Sequence, residues 1–272
     1  MGVGEMVLRA LSRPPGTSDY SLETQHDAPG NECALLRREF EDFSSLVRGK
    51  RVADFGCGTG LQCIALARDE GAFAVGIDTN AATLRIARDN AAKAGFNEKQ
   101  IQFVERITPE LRGSCDAVIS QNAMEHFPEP EAIVREMSTL LKPGGKILLT
   151  FGPPWYAPYG SHMQFFCRVP WLNLWFSERT VMRVRAQYRN DGATRYESVE
   201  SGLNRMSIRK FERIMAQSGL RVARARYTCV KQFNGLARIP VLRELVINHV
   251  TVVLERPASA APASAASVSV AQ

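Results

Sequence analysis

The fold is decided by a short stretch early in the chain, VADFGCGTGLQ, at residues 52–62. An apolar run carries the acid Asp54 and leads into three glycines at alternating positions, Gly56, Gly58 and Gly60, before a helical pattern begins. Glycine lets the backbone turn tightly and approach a ligand without a Cβ in the way. A helix that starts at such a turn presents free N–H groups to polar ligand atoms. The stretch therefore predicts a strand, a ligand-binding turn and a helix in succession.

Outward from this stretch, short apolar runs and helical patterns alternate for about a hundred residues, a pattern typical of parallel strands joined by crossover helices. A further helix and two more strands follow near the end of the chain. We therefore predict an α/β fold with a doubly wound, mostly parallel seven-stranded sheet, helices on both faces and a lid insertion after strand five. The predicted strands are residues 51–55, 73–77, 101–104, 117–120, 146–151, 220–230 and 249–255, and the helices between them are 61–70, 80–94, 129–141, 207–218 and 236–247.

Composition shifts divide the chain into three parts. Residues 1–47 are predicted to be irregular up to residue 30, with a helix over 31–47 where apolar side chains recur at helical spacing. Residues 48–256 form the α/β domain, and its cap insertion at about 152–205 is rich in aromatic residues, proline and arginine. Residues 257–272 contain almost no large apolar side chains, so we expect a disordered tail.

Composition also limits the class of protein. With 272 residues, 45% apolar and 23% charged, the chain can bury an ordinary core. No apolar run is long enough to span a bilayer and no secretory signal begins the chain, so we expect a cytoplasmic protein. The six cysteines lack metal-ligand spacing, so we expect no metal. The net charge of +6 is mostly scattered, which favours solvated helix faces and does not favour a nucleic-acid partner.

A second acid helps to identify the type of ligand. Asp78 ends the second predicted strand, where a carboxylate can accept hydrogen bonds from both hydroxyls of a ribose. A dinucleotide site prefers the spacing Gly-x-Gly-x-x-Gly, whereas this turn reads Gly-x-Gly-x-Gly and follows Asp54. An acid at that strand tip repels a pyrophosphate but attracts a cofactor that carries an ammonium and a sulfonium. The turn therefore favours an adenosyl amino acid over a nicotinamide dinucleotide.

Four motifs in order resemble those of class I methyltransferases of the small-molecule type, similar to methyltransferase type 11. They are VADFGCGTG at 52–60, VGID at 75–78, CDAVISQNAMEHF at 115–127 and LLKPGGKILLT at 140–150. The resemblance spans about residues 48–152. It implies a Rossmann-like fold and S-adenosylmethionine as the cofactor, whereas it leaves the methyl acceptor open.

The resemblance also assigns roles to individual residues. Asp54 and the glycine turn would hold the methionine part of the cofactor, and Asp78 would hold the ribose. The turn that usually contacts adenine carries Arg106 where the family often has an acid, so Ile107 is expected to pack on the ring instead. The implied cofactor-binding residues are Asp54, Gly56, Cys57, Gly58, Gly60, Asp78, Thr79, Ile107 and Gln121.

The methyl acceptor is expected at the carboxyl ends of the strands. Histidine titrates near neutral pH and suits proton transfer, so His162 in the cap and His126 after strand four are the catalytic candidates, with a structural role as the alternative for each. Trp155, Tyr156 and Tyr159 are the candidates for acceptor contact. The aromatic segment 165–176 fits an apolar pocket, a dimer or membrane contact, or ordinary packing of the lid.

The sequence thus predicts methyl transfer from S-adenosylmethionine to an oxygen or carbon of a small-molecule acceptor by direct displacement. Two alternatives stay open at this point: a nicotinamide-dependent oxidoreductase, and a non-catalytic nucleotide-binding protein on the same fold. A nucleic-acid methyltransferase is a weaker alternative, because no Asn/Asp-Pro-Pro-Tyr/Phe motif follows strand four. A peripheral membrane contact and the oligomeric state are also left open.

Overall fold

A computed structural model describes residues 2–14, 32–200 and 202–258. Within them, seven strands form one sheet in the order β3-β2-β1-β4-β5-β7-β6. The first five strands run parallel, and β7 pairs antiparallel with both β5 and β6. The predicted seven-stranded, mostly parallel sheet is therefore confirmed. The strands are β1 (Arg51–Phe55), β2 (Phe73–Ile77), β3 (Ile101–Val104), β4 (Cys115–Gln121), β5 (Leu141–Phe151), β6 (Arg221–Cys229) and β7 (Ile247–Glu255).

Ten α-helices occur in the described residues, together with four short 3-10 turns. Capping groups explain where the site-forming helices begin: the Asn80 side chain accepts hydrogen bonds from the N–H groups of Ala82 and Thr83 at the start of α5. The helices are α1 (Val3–Leu11), α2 (Ala34–Glu39), α3 (Phe43–Val47), α4 (Leu61–Glu70), α5 (Ala81–Lys93), α6 (Pro130–Leu140), α7 (Leu172–Trp175), α8 (Glu178–Arg185), α9 (Ile208–Gln217) and α10 (Pro240–Val246).

Each face of the sheet has its own apolar core. Side chains of α6 and α9, such as Met137 and Phe211, pack on one face. Side chains of α2 to α5, such as Leu66 and Leu84, pack on the other. Because both faces are covered, the parallel strands are buried on both sides, which explains their continuous apolar sequences.

The cap has a third core, and the N-terminal helix belongs to it. Leu8 of α1 is buried among cap side chains such as Phe166, Val181 and Tyr196. An ion pair also stabilises the cap. The buried Arg185 donates two hydrogen bonds to the Asp191 carboxylate, at 2.6 and 2.7 Å. These bonds hold the pKa of Asp191 well below its usual range.

The structure corrects the prediction at the N-terminus. The first 30 residues were expected to be irregular, but Val3–Leu11 is a helix. The burial of Leu8 among cap side chains stabilises it. The single helix expected over 31–47 is two short helices, since the backbone is extended at Phe40 between them. Residues 15–31 and residues 259–272 of the predicted tail lie outside the described residues.

Smaller differences concern the ends of strands. β4 starts two residues earlier than expected, β5 starts at Leu141 directly after α6, and β7 starts at Ile247. These extensions pair with neighbouring strands, which the local sequence does not reveal. In the part of the chain that is described, no helix is both long and apolar enough to cross a membrane.

Candidate functional site

The order of the strands in the sheet reverses between β1 and β4. Asp54 on β1 is in register with Gly76 on β2 and with Ile119 on β4, so these three strands end near one another. In open α/β sheets the loops on either side of such a reversal diverge and leave room for a ligand. The loops after β1, β2 and β4 therefore border one crevice, and they carry most of the candidate residues.

The glycine turn after β1 depends on close packing with a phenylalanine. Gly60 has φ +78°, and a Cβ at this position would lie 2.6 Å from the Phe103 ring and 2.9 Å from the Ala87 Cβ. Gly76 on β2 is equally tight, since its Cβ would lie 2.5 Å from the same ring. Because both positions are glycine, the Phe103 ring packs directly against them. The turn therefore lies close to the sheet.

Asp54 is buried beneath the turn, with its side chain in a largely apolar environment. The residue is 4% exposed, and burial raises the pKa of its carboxyl to about 7. The Cys63 thiol, with Sγ 3.7 Å from Oδ2, opposes this rise, while the negative charge of Asp78 adds to it. The crevice therefore holds a carboxyl that a neighbouring positive charge would ionise.

Asp78 ties the turn to the end of β2. One carboxylate oxygen accepts a hydrogen bond from the Gly58 N–H, and the other accepts one from the Asn80 N–H, both at 2.9 Å. The side chain is only half-buried, so lone pairs on both oxygens stay open to a ligand. The adjacent Thr79 is exposed at the same edge.

Three more candidates lie in or beside the loops that follow β1, β3 and β4. Gln121, at the end of β4, accepts a hydrogen bond of 2.8 Å from the amide of Gln62 on α4. Cys57 is nearly buried within the turn. Ile107 is half-buried against the core, whereas Arg106 beside it is exposed. Ile107 is therefore the apolar side chain of the turn after β3 that could contact a ligand.

The two candidate histidines lie side by side, with ring centroids 5.6 Å apart. Nδ1 of His126 lies 2.7 Å from the Gly202 carbonyl oxygen, so this ring links the β4 loop to the cap. Nε2 of His162 is buried without a hydrogen-bond partner in the described residues. Burial lowers the pKa of His162 to about 4, the charge of His126 adds to this effect, and a hydrogen bond to the Pro153 carbonyl opposes it. His162 is therefore neutral at pH 7.

A buried acid lies beside His162, at a pocket too small in this structure to hold a water molecule. Glu125 is 3% exposed and borders the pocket together with His162, Trp155 and Arg205. Its Oε1 accepts a hydrogen bond from the Gly152 N–H at 3.2 Å, whereas its Oε2 has no partner among the described residues. Burial raises the pKa of this carboxyl, and the charge of His126 opposes the rise.

The candidate acceptor residues differ in their surroundings. The Trp155 ring packs edge-on against Tyr196 at 4.7 Å, beneath the guanidinium of Arg205, so it is part of the cap core as well as of the pocket wall. Tyr159 is half-buried and Tyr156 is exposed. Of the three, only Trp155 lines the pocket that contains His162.

Glu125 is the site residue that sequence reasoning missed. The available signal was an acid directly before His126, in the short segment between β4 and α6. Its burial could not be read from the sequence, because it depends on Gly152 and Asn204 from distant parts of the chain. Phe103 was missed for the same reason, since its contact with Gly60 and Gly76 is non-local.

Over the described ranges, no group of three His, Cys, Asp or Glu side chains is placed to hold a metal ion. All six cysteines are buried free thiols.

Comparison with known proteins supports the family resemblance. Residues 53–149 match the model of a family described as a methyltransferase domain. The ubiquinone biosynthesis O-methyltransferase of Chromobacterium violaceum is 36% identical over 123 residues, which is 45% of this chain and 53% of that protein. The enzyme of the same name from Xanthomonas axonopodis pv. citri is 41% identical over 130 residues, 46% of this chain and 54% of that protein. The chain thus spans about half the length of the curated relatives that it matches.

Solved structures agree with the observed fold. The [4+2]-cyclase SpnF superposes with a TM-score of 0.55 at 17% identity, covering 86% of this chain and 84% of that one. An S-adenosylmethionine-dependent methyltransferase from Mesorhizobium loti gives a TM-score of 0.52 at 18% identity, covering 85% and 99%. At this identity the likeness concerns the fold alone. Residues 53–149 thus match a methyltransferase domain model, and the chain shares the α/β fold of these structures.

Proposed function

We propose that the chain is an S-adenosylmethionine-dependent methyltransferase that acts on an oxygen of a small-molecule acceptor by direct displacement. One observation carries the proposal: the buried Asp54 and the half-buried Asp78 border the same crevice, on either side of the glycine turn. Asp54 at this position repels a pyrophosphate and attracts a cationic adenosyl amino acid, whereas Asp78 suits the ribose of either cofactor. The arrangement therefore speaks against a nicotinamide dinucleotide.

The residues present fit this cofactor. Asp54, once ionised, would pair with the ammonium group, and Asp78 would accept hydrogen bonds from the ribose hydroxyls. The turn formed by Gly56, Cys57, Gly58 and Gly60 offers backbone N–H groups, Ile107 offers an apolar surface for the adenine, and Thr79 and Gln121 border the site. The chemistry that bound S-adenosylmethionine supplies is a methyl group activated by a positively charged sulfur.

Methyl transfer requires that the acceptor atom is aligned with the methyl group and the sulfur of the cofactor. A hydroxyl acceptor also requires a group that accepts its proton. We assign that role to Nε2 of His162, because the ring is neutral at pH 7 and this nitrogen lacks a partner among the described residues. A movement of the cap would be needed to expose the nitrogen to the acceptor. Glu125, in the same pocket, would stabilise the imidazolium that forms. His126 would position the cap through its contact with Gly202.

The choice of oxygen over carbon rests on this proton site and on the relatives, which are named O-methyltransferases. Trp155 and Tyr159 would contact the acceptor, with Tyr156 at the entrance. A cytoplasmic location and the absence of a nucleic-acid partner stay predictions from the sequence.

Titration calorimetry with S-adenosylhomocysteine tests the function directly. We expect saturable binding of S-adenosylhomocysteine and none of NAD, and labelled cofactor incubated with a host extract should yield a methylated small molecule. Binding of NAD without any response to S-adenosylhomocysteine would overturn the proposal in favour of an oxidoreductase. Binding of S-adenosylhomocysteine with no methylated product in any extract would favour the non-catalytic alternative.

Asp78→Ala should weaken binding of S-adenosylhomocysteine by about 1–3 kcal/mol, because the variant loses the hydrogen bonds to the ribose. Calorimetry at constant pH measures the effect, and Asp116→Ala, at the opposite edge of the sheet, is the matched control. An unchanged affinity in Asp78→Ala would remove the ribose assignment.

His162→Ala should lower kcat by about 10²–10⁴-fold, the usual contribution of a positioned proton acceptor, with little change in affinity for S-adenosylhomocysteine. Glu125→Gln should lower kcat less and shift the acid limb of the kcat–pH profile, because it removes the charge that stabilises the imidazolium. Full turnover by His162→Ala would exclude a role in proton transfer.

A further inference from the structure

A cavity of about 220 Å³ lies at the edge of the sheet opposite to the candidate site. The parallel strands β1, β4 and β5 begin at this edge, so the residues at their starts surround a common space. We call this space the lysine cavity. Its lining residues are Leu46, Lys50, Asp116, Lys142, Pro143, Gly144, Gly145 and Lys146. A single water molecule needs far less room, so the lysine cavity can hold a small ligand.

Three of the lining side chains are lysines, and a single carboxylate opposes them. Nζ of Lys142 pairs with Oδ1 of Asp116 at 2.7 Å. Nζ of Lys50 donates a hydrogen bond to the Ser45 carbonyl oxygen at 2.6 Å, which leaves its charge uncompensated. Lys146 forms no ion pair with a residue in the described ranges. Three lysines against one carboxylate give the walls a net charge of +2.

Two acids near Lys146 are already paired with arginines. Glu255 lies opposite Lys146 on β7, and its carboxylate accepts a hydrogen bond from Arg221. Asp42 pairs with Arg224 at 2.6 Å. This hydrogen bond holds the pKa of Asp42 below its usual range, and the positive charge of Lys146 adds to the effect. Each acid therefore has its own cation, and the charge of Lys146 is left for a ligand.

Asp116 stays ionised and accounts for only one of the lysines. Burial acts to raise its pKa, but hydrogen bonds from Lys142 and from the Arg51 N–H hold the pKa below its usual range. The positive charges that no lining carboxylate balances are thus those of Lys50 and Lys146. Each ammonium group carries three N–H donors, so both can also donate hydrogen bonds to a ligand.

The charge of the walls indicates the class of ligand. A cleft lined by charges of one sign raises the local concentration of oppositely charged molecules. A phosphate group carries about −1.5 to −2 charges at pH 7 and offers three acceptor oxygens. Lysine is a common partner of such groups. A carboxylate ligand would balance only one of the two charges, so a phosphate group matches the walls better.

We propose that the lysine cavity binds the phosphate group of a small phosphorylated molecule, with Lys50 and Lys146 as its charge partners. The turn at residues 143–145 is a proline and two glycines, so this part of the wall has little side-chain bulk and leaves room for the group attached to the phosphate. Asp54 and Asp78 lie at the other edge of the sheet, so a ligand here would not compete with a cofactor there. The lysine cavity is therefore a second site, independent of methyl transfer.

Titration calorimetry at fixed ionic strength tests the assignment, with inorganic phosphate and glycerol 3-phosphate as probes. We expect saturable binding to the full chain with a dissociation constant of about 1 mM or lower. Lys50→Ala and Lys146→Ala should each weaken binding by about fivefold or more, whereas Asp116→Asn should strengthen it by about threefold or more, because it removes the one negative charge of the walls. Tighter binding of glycerol 3-phosphate would assign the site to a phosphate ester, and equal affinities would assign it to free phosphate.

Lys99→Ala is the matched control, because Lys99 is an exposed lysine before β3, at the far side of the sheet. Thermal unfolding of each variant checks that it folds. Absence of saturable binding by the wild-type chain would overturn the proposal. Equal weakening by Lys99→Ala and Lys146→Ala would also overturn it, because binding would then follow the net charge of +6. Displacement of the probes by a DNA oligonucleotide that loses affinity in the same variants would assign the lysines to a nucleic-acid backbone instead.

Discussion

Asp54→Asn should weaken binding of S-adenosylhomocysteine by roughly ten- to hundredfold at pH 8 and, in the absence of ligand, should stabilise the protein. The loss of affinity follows because an amide cannot pair with the ammonium group, and a charge-assisted hydrogen bond contributes about 1.5–3 kcal/mol. The gain in stability follows because burial raises the pKa of Asp54 to about 7. Unfolding lets this carboxyl ionise at its ordinary, lower pKa, so the native carboxyl destabilises the fold at neutral pH.

The buried Asp54 carboxyl makes the stability of the fold depend on pH. The stability cost is absent below the ordinary pKa of an aspartate, grows as pH rises towards 7 and is complete above it. Urea unfolding should therefore show Asp54→Asn more stable than wild type by about 1–3 kcal/mol at pH 8 and equally stable near pH 4. A variant less stable than wild type at pH 8 would contradict the burial argument.

Affinity should depend on pH in the opposite direction from stability. Below pH 7, Asp54 must release its proton before it can pair with the ammonium, so wild-type affinity for S-adenosylhomocysteine should fall by up to about tenfold per pH unit. Calorimetry in buffers with different heats of ionisation would count the released proton. Asp54→Asn serves as the control, because its affinity should be low and nearly independent of pH over this range.

Gly60→Ala should lower the free energy of unfolding by about 2–5 kcal/mol and impair cofactor binding. A non-glycine residue at φ +78° costs about 1–2 kcal/mol. The added Cβ would also overlap the Phe103 ring and the Ala87 side chain, and overpacking of this kind costs about 1–3 kcal/mol. Denaturant unfolding and calorimetry with S-adenosylhomocysteine measure the two effects.

Gly71→Ala provides the matched control for this substitution. Gly71 ends α4 with φ +60°, and nothing lies within 4 Å of its added Cβ, so only the conformational cost applies. Combining Gly60→Ala with Phe103→Leu should restore part of the lost stability, because the smaller side chain relieves the overlap. Equal destabilisation by Gly60→Ala and Gly71→Ala would show that contact with Phe103 does not position the turn.

The parts of the fold that the sequence predicted accurately are those set by local patterns. The ends of β1, α4, β2 and β3 agree with prediction, because buried runs are separated there by glycine or by a capping side chain such as Asn80. The N-terminal helix could not be predicted, because Leu8 is stabilised by cap residues more than 150 positions away. The sequence around Leu8 does not indicate these distant contacts.

The same distinction holds for the candidate site. The glycine turn and the two acids belong to consecutive strand–loop segments, so their meeting follows from the parallel topology. The pocket around His162 combines the loop after β4 with two separate parts of the cap. Glu125 becomes a site residue only through that assembly, so neither its burial nor its free oxygen could be foreseen.

The separate core of the cap has an evolutionary consequence. Side chains such as Phe166 and Tyr196 pack with Leu8 and not with the two cores that cover the sheet. Under the proposed function, substitutions among them would reshape the acceptor side of the site while the cofactor side stays as it is. Diversification of acceptors in this lineage is therefore expected to be recorded in the cap and the first helix, with the glycine turn changing little.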